Sequence, residues 1–493
     1  MEIFGDPYSS RSRPVLSGMG GAVAAAHPLA VAAGQELLLA GGSAADAAIA
    51  AQAALCVLAP DACGLGGDML ALVREPGAAS AVAVNGTGRA PVGMTRLATD
   101  GAGSVTVPGQ VDGWEVLSRR WGRLPLSRCL QPAVRLARRG VRVSADLAAA
   151  VARSEGRLRA GGAGDWALLH LKAGDVFRQE ALAQWLEAIG RDGRAAFYAG
   201  DPAAAIAGTV QRLGGALSTG DLAAHETVVA APITTGFRGL SVAVQPPAAQ
   251  GVLLAMVLQA LERLDPLPAD RIDHALIELT EAAFAYRSRA GEGAELLAID
   301  LRIDLDRARR LGSTRAYLHT AGVATADADG MVVSSLVSVF DDFGSCVYVP
   351  EGGFTLNDRG GGFTDGPNAP EAGKRPVHTL APAMLFLAGG GVLAMATPGA
   401  DGQVQTLAQV LGALTEGAPL AMAIDRPRWR SQAGELLIEV GHPRAATLTR
   451  LGHHLRELGP GDMRFGAVVC AGVASGQPLA LADWRRETWA GVV

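Results

Sequence analysis

Lysine is nearly absent from this chain of 493 residues. It occurs only at Lys172 and Lys374, so the other 41 of the 43 basic residues are arginine. Charged residues reach 18%, below the roughly 25% of an average soluble protein, and the formal net charge of −5 argues against nucleic acid as a partner. Because the chain is also rich in Ala and Gly, the arginine excess indicates codon bias. A single arginine is therefore weak evidence for function.

Cysteine is scarce, and the number of cysteines is odd. The five cysteines form no Cys-x-x-Cys motif and no Cys/His spacing typical of a zinc site. We therefore expect buried or incidental unpaired thiols in a reducing compartment, no metal ion and no cysteine nucleophile.

Long apolar runs are also missing. The longest, residues 44–60, contains Asp46 and Gln52 and is shorter than the roughly 20 apolar residues that span a bilayer. The N-terminal segment lacks the charged-then-apolar order of a secretory signal. These features predict a soluble, cytoplasmic protein without a membrane partner.

Cofactor motifs fail in detail. After Gly64-x-Gly66 the third glycine of a dinucleotide fingerprint is replaced by Met69, and the motif follows a predicted helix instead of a strand. Gly373-Lys374 is not followed by the Ser or Thr of a phosphate loop. We therefore expect no cofactor. His453-His454 is interpreted as a solvated helix face.

Glycine is abundant instead, with 64 residues beside 26 prolines, and hydrophobic residues make up 49%. This composition supplies a large core and excludes a disordered chain. Strand-like runs are predicted at 69–73, 233–244, 323–328, 331–339, 346–349, 383–387 and 392–396. Asp329-Gly330 between two such runs predicts a hairpin. Apolar spacing predicts helices at 28–39, 44–57, 130–139, 145–157, 179–189, 203–213, 253–264, 271–287 and 404–414.

An ordered set of short motifs over about residues 16 to 430 resembles the gamma-glutamyltranspeptidase family of N-terminal-nucleophile hydrolases. Each motif is weak alone, but their shared order is specific. The motifs are Ala25 to Ala30, Gly41 to Ala48, Cys63 to Asp68, Val107 to Trp114, Pro132 to Ala137, Phe197 to Gly200, Gly214-Gly215, Asp221-Leu222, Asp327 to Gly330, Phe343 to Ser345, Leu356 to Asp358, Gly373 to Pro376, Pro382 and Thr397 to Gly399.

The resemblance implies a four-layer αββα sandwich (α/β class) made as a precursor that cuts itself before a threonine. In this family that threonine lies seven residues before the first Asp of the Asp-x-Asp-Gly turn, here Asp327, which identifies Thr320. Cleavage of His319–Thr320 would give a large subunit, 1–319, and a small subunit, 320–493, interleaved in one core. The new α-amine of Thr320 would be the base for its own hydroxyl, since its unperturbed pKa of about 7.7–8.0 lies close to working pH.

Further roles follow from the same resemblance. Ser338 occupies the position of a family Thr that hydrogen-bonds the nucleophile. Gly399 and Ala400 occupy the positions of a Gly pair whose backbone N–H groups receive the oxyanion. His378 and Thr379 occupy the positions of a Ser pair near that oxyanion.

The sequence departs from the transpeptidases at the anchors for a γ-glutamyl group. Thr87, Gly362 and Phe340 stand where the family has Arg, Asp and Asn. We therefore expect a substrate other than a γ-glutamyl amino acid. The stretch Asn357 to Phe363, together with Arg375 to Thr379, resembles the amidohydrolase and acylase branch of the family. The pair Arg89 and Arg359 would suit an acyl group that bears a carboxylate and no free amine.

The favoured function is thus an amide hydrolase acting on a small molecule through an acyl-Thr320 intermediate. A C–C bond hydrolase that releases an acidic fragment, a true γ-glutamyl transferase and an uncut, inactive binding protein stay open. Ala321 and Gly322 differ from the Thr and His that usually follow the nucleophile in this family, and we nevertheless expect the chain to cut itself. We expect the two fragments to associate, with a homodimer as an open alternative.

Overall fold

The computed structural model describes residues 13–95, 98–312, 314 and 320–493. Two seven-stranded antiparallel sheets face each other at its centre. The first sheet has the spatial order β1 (Leu16–Ser17), β20 (Gln477–Ala482), β19 (Val469–Ala474), β15 (Val392–Ala396), β14 (Ala383–Phe386), β9 (Leu240–Val244) and β8 (Ile233–Phe237).

The second sheet contains the strand that follows Thr320. Its spatial order is β21 (Trp489–Val492), β2 (Gly21–Ala25), β10 (Ala321–Asp327), β11 (Val332–Ser338), β3 (Asp68–Arg74), β4 (Val82–Gly86) and β7 (Val228–Ala230). Smaller sheets pair β5 (Val141–Arg142) with β6 (Val176–Phe177), β12 (Tyr348–Val349) with β13 (Phe354–Thr355), and β16 (Trp429–Gln432) with β17 (Glu435–Glu439) and β18 (Leu455–Leu458).

Helices cover both outer faces of the sheet pair. In the described part of the chain the α-helices are α1 (Pro28–Leu39), α2 (Ala44–Leu58), α3 (Gln110–Trp121), α4 (Leu126–Arg139), α5 (Ala145–Ala160), α6 (Glu180–Asp192), α7 (Ala195–Tyr198), α8 (Gly200–Arg212), α9 (Thr219–Ala223), α10 (Gly251–Arg263), α11 (Ile272–Phe284), α12 (Gly402–Thr415), α13 (Leu420–Asp425) and α14 (Ala445–Arg450). Short 3₁₀ helices lie at Ala102–Ser104, Ala167–His170, Ala269–Arg271, Arg359–Gly362, Gly366–Asn368 and Met463–Phe465. The 3₁₀ turns of Arg287–Ala298 are interrupted at Gly293, which is not helical.

Three apolar cores define four layers. Helices α1 to α4 pack on the outer face of the second sheet, and α10 to α12 pack on the outer face of the first. A third core fills the space between the sheets, where Leu70, Ala324 and Leu336 meet Met384 and Ala394. This arrangement confirms the predicted αββα sandwich.

The Asp-x-Asp-Gly motif forms the turn between β10 and β11, as the Asp-Gly pair predicts. The Asp327 carboxylate accepts hydrogen bonds from the backbone N–H groups of Asp329 (3.1 Å) and Met331 (2.9 Å). Gly330 has φ +92°, a left-handed conformation that favours glycine. The same carboxylate accepts from Ala44 N (3.1 Å) and so ties the turn to the start of α2.

Most predicted helices are present with ends shifted by a few residues, and α1 has the predicted bounds. Helix α2 is buried on all sides, as its uniformly apolar sequence predicts, and Ser43 and Asp46 form a capping box at its start. The five cysteines are all buried and unpaired, which agrees with the expectation. Among the described residues there is no helix long and apolar enough to cross a membrane.

The interpretation of His453-His454 as a solvated helix face is wrong. Helix α14 ends at Arg450, and Gly452 follows with φ +91°, a conformation that terminates helices. Both histidines lie beyond this stop, where His453 is buried and His454 is exposed.

Candidate active site

Thr320 lies directly before β10 at one end of the second sheet. Ala321 pairs with Val337, so the next step of the ladder places Thr320 opposite Ser338. Thr320 Oγ1 is 3.4 Å from Ser338 Oγ, and Thr320 is only 4% exposed. Ser338 Oγ also accepts a hydrogen bond from Phe340 N (2.9 Å). The structure therefore brings together the two hydroxyls that the sequence assigned to the nucleophile and its partner; His319 lies outside the described residues.

Strand alternation sets the face on which these hydroxyls stand. Side chains of a strand alternate between faces, and Ala324 and Leu336 point into the core between the sheets. Thr320 and Ser338 are an even number of residues from them and share that face. The candidate nucleophile therefore stands between the two sheets, at the end where β15 leaves the first sheet.

Gly399 and Ala400 form the turn between β15 and α12. They have φ values of +116° and +52°, and their carbonyls accept the first hydrogen bonds of α12, from Gly402 N (2.8 Å) and Gln403 N (3.0 Å). Neither of their own amide N–H groups donates a hydrogen bond to a described residue. Free N–H groups at a helix N-terminus favour a negatively charged oxygen. Ala400 is thus in a conformation that glycine adopts more easily, at a cost of about 1–2 kcal/mol.

Gln250, on the segment that follows β9, connects this turn to Thr379 on the segment that precedes β14. Its buried Nε2 donates to the carbonyl oxygens of Thr379 (2.7 Å) and Ala400 (3.0 Å). The predicted substrate-binding residue Thr379 and the predicted oxyanion residue Ala400 are therefore neighbours. The sequence analysis did not identify Gln250, which lies in a Pro- and Ala-rich loop without a motif of its own.

A buried carboxylate, Asp68, organises the other side of the site. Asp68 pairs with Ser338 across β3 and β11. Its oxygens accept hydrogen bonds from Gly88 N (3.2 Å), Arg359 Nε (3.1 Å) and His378 Nε2 (3.2 Å). These contacts hold the pKa of Asp68 below its usual value despite the opposing effect of burial, which is the largest single influence.

His378 supports this carboxylate as a neutral ring. Its Nδ1 accepts from Leu380 N (3.2 Å), so the proton is assigned to Nε2, which donates to Asp68. Burial, and secondly the charge of Arg359, lower the pKa of His378 to about 4. The sequence analysis predicted that His378 binds substrate directly, whereas in the structure both of its ring nitrogens form hydrogen bonds with protein groups.

The two predicted carboxylate-binding arginines have different environments. Arg89 is exposed and donates to the Gly373 carbonyl (2.9 Å). Arg359 is fully buried, and its guanidinium carbon lies 4.3 Å from the centre of the Phe340 ring. Its Nη1 and Nη2 atoms have no hydrogen-bond partner among the described residues. A buried guanidinium with two free nitrogens can bind an anion.

Phe340, Gly362 and Thr87, where the sequence analysis expected the γ-glutamyl anchors to be missing, lie near Arg359 or its partner Asp68. Phe340 has φ +93° and stacks on the guanidinium. A Cβ added to Gly362 would lie 3.7 Å from Arg359 Cδ. Thr87 precedes Gly88, whose N–H binds Asp68. The buried Arg359 and the three positions named in the sequence analysis therefore lie in one part of the protein.

A cavity of about 90 Å³ opens beside Thr320. Pro398, at the oxyanion turn, also lines it. Its other polar lining consists of His27, Asp61, Ser144, Asp146, Arg486, Glu487 and Thr488. Burial raises the pKa of Glu487 to about 7, with smaller contributions from Asp146 and Asp61. The sequence analysis did not anticipate this acidic lining, since its residues come from distant segments.

Asp68 had a recognisable signal in the sequence. It ends the Gly-rich motif that starts at Cys63, and an apolar strand follows it. A carboxylate at the start of a buried strand requires a hydrogen-bonding or cationic partner. The glycines permit close approach: a Cβ on Gly67 would lie 2.6 Å from Ser338 O. The motif thus sets Asp68 directly against Ser338.

Comparisons with known proteins identify the family and the fold of the chain. The sequence model of the family described as gamma-glutamyltranspeptidase matches residues 30–493. The chain is 33% identical to the glutathione hydrolase-like YwrD proenzyme of Bacillus subtilis, over 83% of this chain and 84% of the relative. It is 32% identical to the oxamate amidohydrolase proenzyme of Klebsiella pneumoniae, over 89% of this chain and 90% of the relative.

A solved structure shares the whole architecture. Cephalosporin acylase from Bacillus halodurans matches with a TM-score of 0.87 and 28% identity, covering 100% of this chain and 99% of that one. The family match extends the resemblance, which the motifs carried only to about residue 430, to the end of the chain. The chain therefore belongs to the gamma-glutamyltranspeptidase family and is an amide-hydrolysing enzyme with the N-terminal-nucleophile hydrolase fold.

Proposed function

We propose that the chain cuts itself between His319 and Thr320 and then hydrolyses an amide whose small acyl group bears a carboxylate. The observation that carries the proposal is the buried Arg359, which Asp68 holds beside the Thr320–Ser338 pair and which has two nitrogens without a partner among the described residues. A substrate carboxylate on Arg359 would place the neighbouring carbonyl near Thr320 Oγ1.

The cut would leave two fragments that stay together. In the second sheet β10 and β11 of 320–493 lie between β2 and β3 of 1–319. In the first sheet β14, β15, β19 and β20 lie between β1 and β9. Separating the fragments would break both sheets, so the enzyme works as one interleaved body.

Acyl transfer would then use groups that the cut creates. The free α-amine of Thr320 accepts the proton of Oγ1, which attacks the carbonyl carbon. The N–H groups of Gly399 and Ala400 receive the oxyanion. The C–N bond breaks as the leaving amine takes the proton, and an acyl-Thr320 ester remains. Water gives a proton to the same α-amine as it attacks the ester carbon. The bond between the acyl carbon and Thr320 Oγ1 then breaks, Oγ1 takes that proton from the α-ammonium, and the carboxylic acid is released.

The loss of the γ-glutamyl anchors argues against a γ-glutamyl amino acid as substrate. An α-ammonium group near Phe340 and Gly362 would face the buried guanidinium of Arg359 without a carboxylate of its own to bind it. An unpaired ammonium in a buried site costs several kcal/mol. An acyl group with a carboxylate and no free amine avoids this cost.

Processing is tested first by gel electrophoresis of the purified protein. Dividing the 50.4 kDa chain in proportion to residue number gives fragments of about 33 and 18 kDa. A persistent single band without activity would instead favour an uncut binding protein.

Substrate class is tested with a panel of amides that share one leaving group. Succinyl, glutaryl and oxalyl amides are compared with their neutral methyl esters, and the acyl-Thr320 ester is trapped for mass spectrometry. We expect turnover of the acids alone. Strong turnover of a γ-glutamyl amide would overturn the argument from the missing anchors, and cleavage of a β-keto acid in preference to all amides would favour the C–C hydrolase.

A further inference from the structure

A second group of chemically active side chains lies in the outer helical layer, apart from Thr320. His274 and Glu278 are one turn apart on the same face of α11, and His453 lies between α14 and β18. They are 0%, 2% and 5% exposed. One potential ligand atom from each lies within 4.8 Å of the other two. The sequence analysis expected no metal site, and His453 is far along the chain from His274 and Glu278, so the three residues form no sequence motif.

The tautomer of His274 directs a lone pair into the group. His274 Nε2 lies 2.8 Å from the Asp304 carbonyl, which can only accept, so Nε2 carries the proton. His274 Nδ1 is therefore unprotonated and faces His453 Nε2 at 2.8 Å. A histidine whose second nitrogen donates to a carbonyl has the usual arrangement of a metal ligand.

Glu278 adds a buried carboxyl group to this cluster. Both of its carboxylate oxygens accept from a single backbone N–H, that of Arg309 (3.1 Å each). Within the described ranges it forms no ion pair with any Lys, Arg or His side chain. A buried carboxylate is normally paired with a cation or coordinates a metal.

Space for one more ligand is present beside these residues. A cavity of about 10 Å³ is lined by Glu278 and His453, and its other charged or titratable lining residues are Glu281, Arg310, Glu435 and His454. This is roughly the space that one water molecule occupies. Two imidazoles, one carboxylate and one water make a tetrahedral zinc donor set.

We propose that His274 Nδ1, His453 Nε2 and Glu278 bind a Zn²⁺ ion, with water as the fourth ligand. In the zinc-bound form His453 carries its proton on Nδ1, so that its Nε2 is free to bind zinc. The zinc ion then replaces the hydrogen bond between the two rings. Ligand atoms in such a site are about 3.3–3.5 Å apart, given bonds of about 2.0–2.2 Å. The two imidazole nitrogens therefore move apart, and the carboxylate moves inward.

The site connects the two proposed fragments. His274 and Glu278 belong to 1–319, whereas His453 belongs to 320–493. The Asp304 carbonyl and Arg309 amide, which bind His274 and Glu278, lie on the segment that leads to the proposed cut. Zinc would thus connect this segment to both fragments. This consequence rests on the proposed processing, whereas zinc binding itself does not depend on it.

The test is zinc binding by the full-length protein after dialysis against a chelator. Zn²⁺ alone is added back, and bound metal is counted by inductively coupled plasma mass spectrometry while the melting temperature is followed. We expect one zinc per chain, a higher melting temperature, and a tetrahedral Co²⁺ absorption band when Co²⁺ is used in its place.

His453→Gln and Glu278→Gln should each weaken zinc binding at least tenfold, whereas the exposed His170→Gln should bind as the wild type does. Equal loss in all three variants, or unchanged binding in the first two, would overturn the site. If the buried variants do not fold, the wild type decides: less than a tenth of a zinc per chain and no change in melting temperature would refute it. None of these measurements uses enzymatic activity. The zinc test therefore remains valid even if the proposed amide hydrolysis is refuted.

Discussion

Asp68 on β3 and Ser338 on β11 are direct partners in the antiparallel ladder, with their side chains on the same face of the second sheet. Directly opposed residues have Cβ atoms about 4.5–5.5 Å apart. Ser338 contacts Thr320, and Asp68 binds Arg359 and His378. This one pairing therefore joins the candidate nucleophile to the candidate carboxylate-binding group.

Arg359→Lys should lower kcat/KM for a carboxylate-bearing substrate by about 10²-fold or more, or roughly 3 kcal/mol. Lysine keeps the charge beside Asp68 but loses the planar fork that can bind Asp68 and substrate together. Arg89→Lys is the matched control, since Arg89 is exposed, and it should change kcat/KM less than about threefold. Steady-state kinetics on acidic and neutral substrates checks both; a larger effect at Arg89 would transfer the role to that residue.

Asp68→Asn should raise KM for the acidic substrate more than it lowers kcat, because Arg359 loses its orientation while the nucleophile stays in place. The variant leaves a buried guanidinium without its anion, so it should also lose about 3–5 kcal/mol of stability. Asp100→Asn is the control, because it removes the carboxylate of the ion pair with Arg157, in which the Asp100 side chain is 52% exposed. It should lower the free energy of unfolding by less than about 1 kcal/mol. Urea unfolding and kinetics report the two effects separately, and unchanged KM in a folded Asp68→Asn protein would contradict a positioning role.

Thr320→Ala should abolish both chain cutting and turnover, because it removes the hydroxyl that both reactions use. Ser338→Ala keeps that hydroxyl but removes its partner at 3.4 Å, so it should slow both reactions by about 10- to 100-fold. Ser338→Thr retains a hydroxyl and should restore most of the rate. Gel electrophoresis over time and single-turnover kinetics measure these effects; a fully active Ser338→Ala would show that its hydroxyl has no such role.

Glu487→Gln should stabilise the protein at pH 8 but not at pH 4.5. The pKa of Glu487 is raised from 4.5 to about 7 in the folded protein, chiefly by burial. The folded state therefore binds this proton more tightly than the unfolded state, and the associated stability is lost as pH rises from about 4.5 to about 7. The uncharged glutamine should gain up to about 3 kcal/mol over wild type above pH 7.

Melting temperatures at pH 4.5, 6 and 8 check this prediction. Glu351→Gln, at an exposed carboxylate, is the control and should follow the wild type. A Glu487→Gln benefit that is the same at all three pH values would exclude titration of this group as the cause.

Local elements of the fold could be predicted because short-range patterns determine them. Helix α1 has the predicted bounds since apolar spacing, Pro28 at its start and the Gly41-Gly42 stop act within a dozen residues. The β10–β11 hairpin follows from Asp329-Gly330. Strands β16 to β21 were not predicted, because their alternation is weak and β21 forms only by pairing with β2, more than 460 residues away.

The sequence by itself determined the family, the layered fold and the candidate nucleophile, because the order of many short motifs and the spacing from Asp327 to Thr320 are properties of the chain alone. Only the tertiary structure decided between Arg89 and Arg359 as the buried cation. It also revealed Asp68, the acidic cavity, and the approach of His453 to His274. The contacts of Asp68 with Arg359 and His378, and that of His274 with His453, join residues more than 100 positions apart. Strand register and layer packing determine such neighbours, which local sequence does not encode.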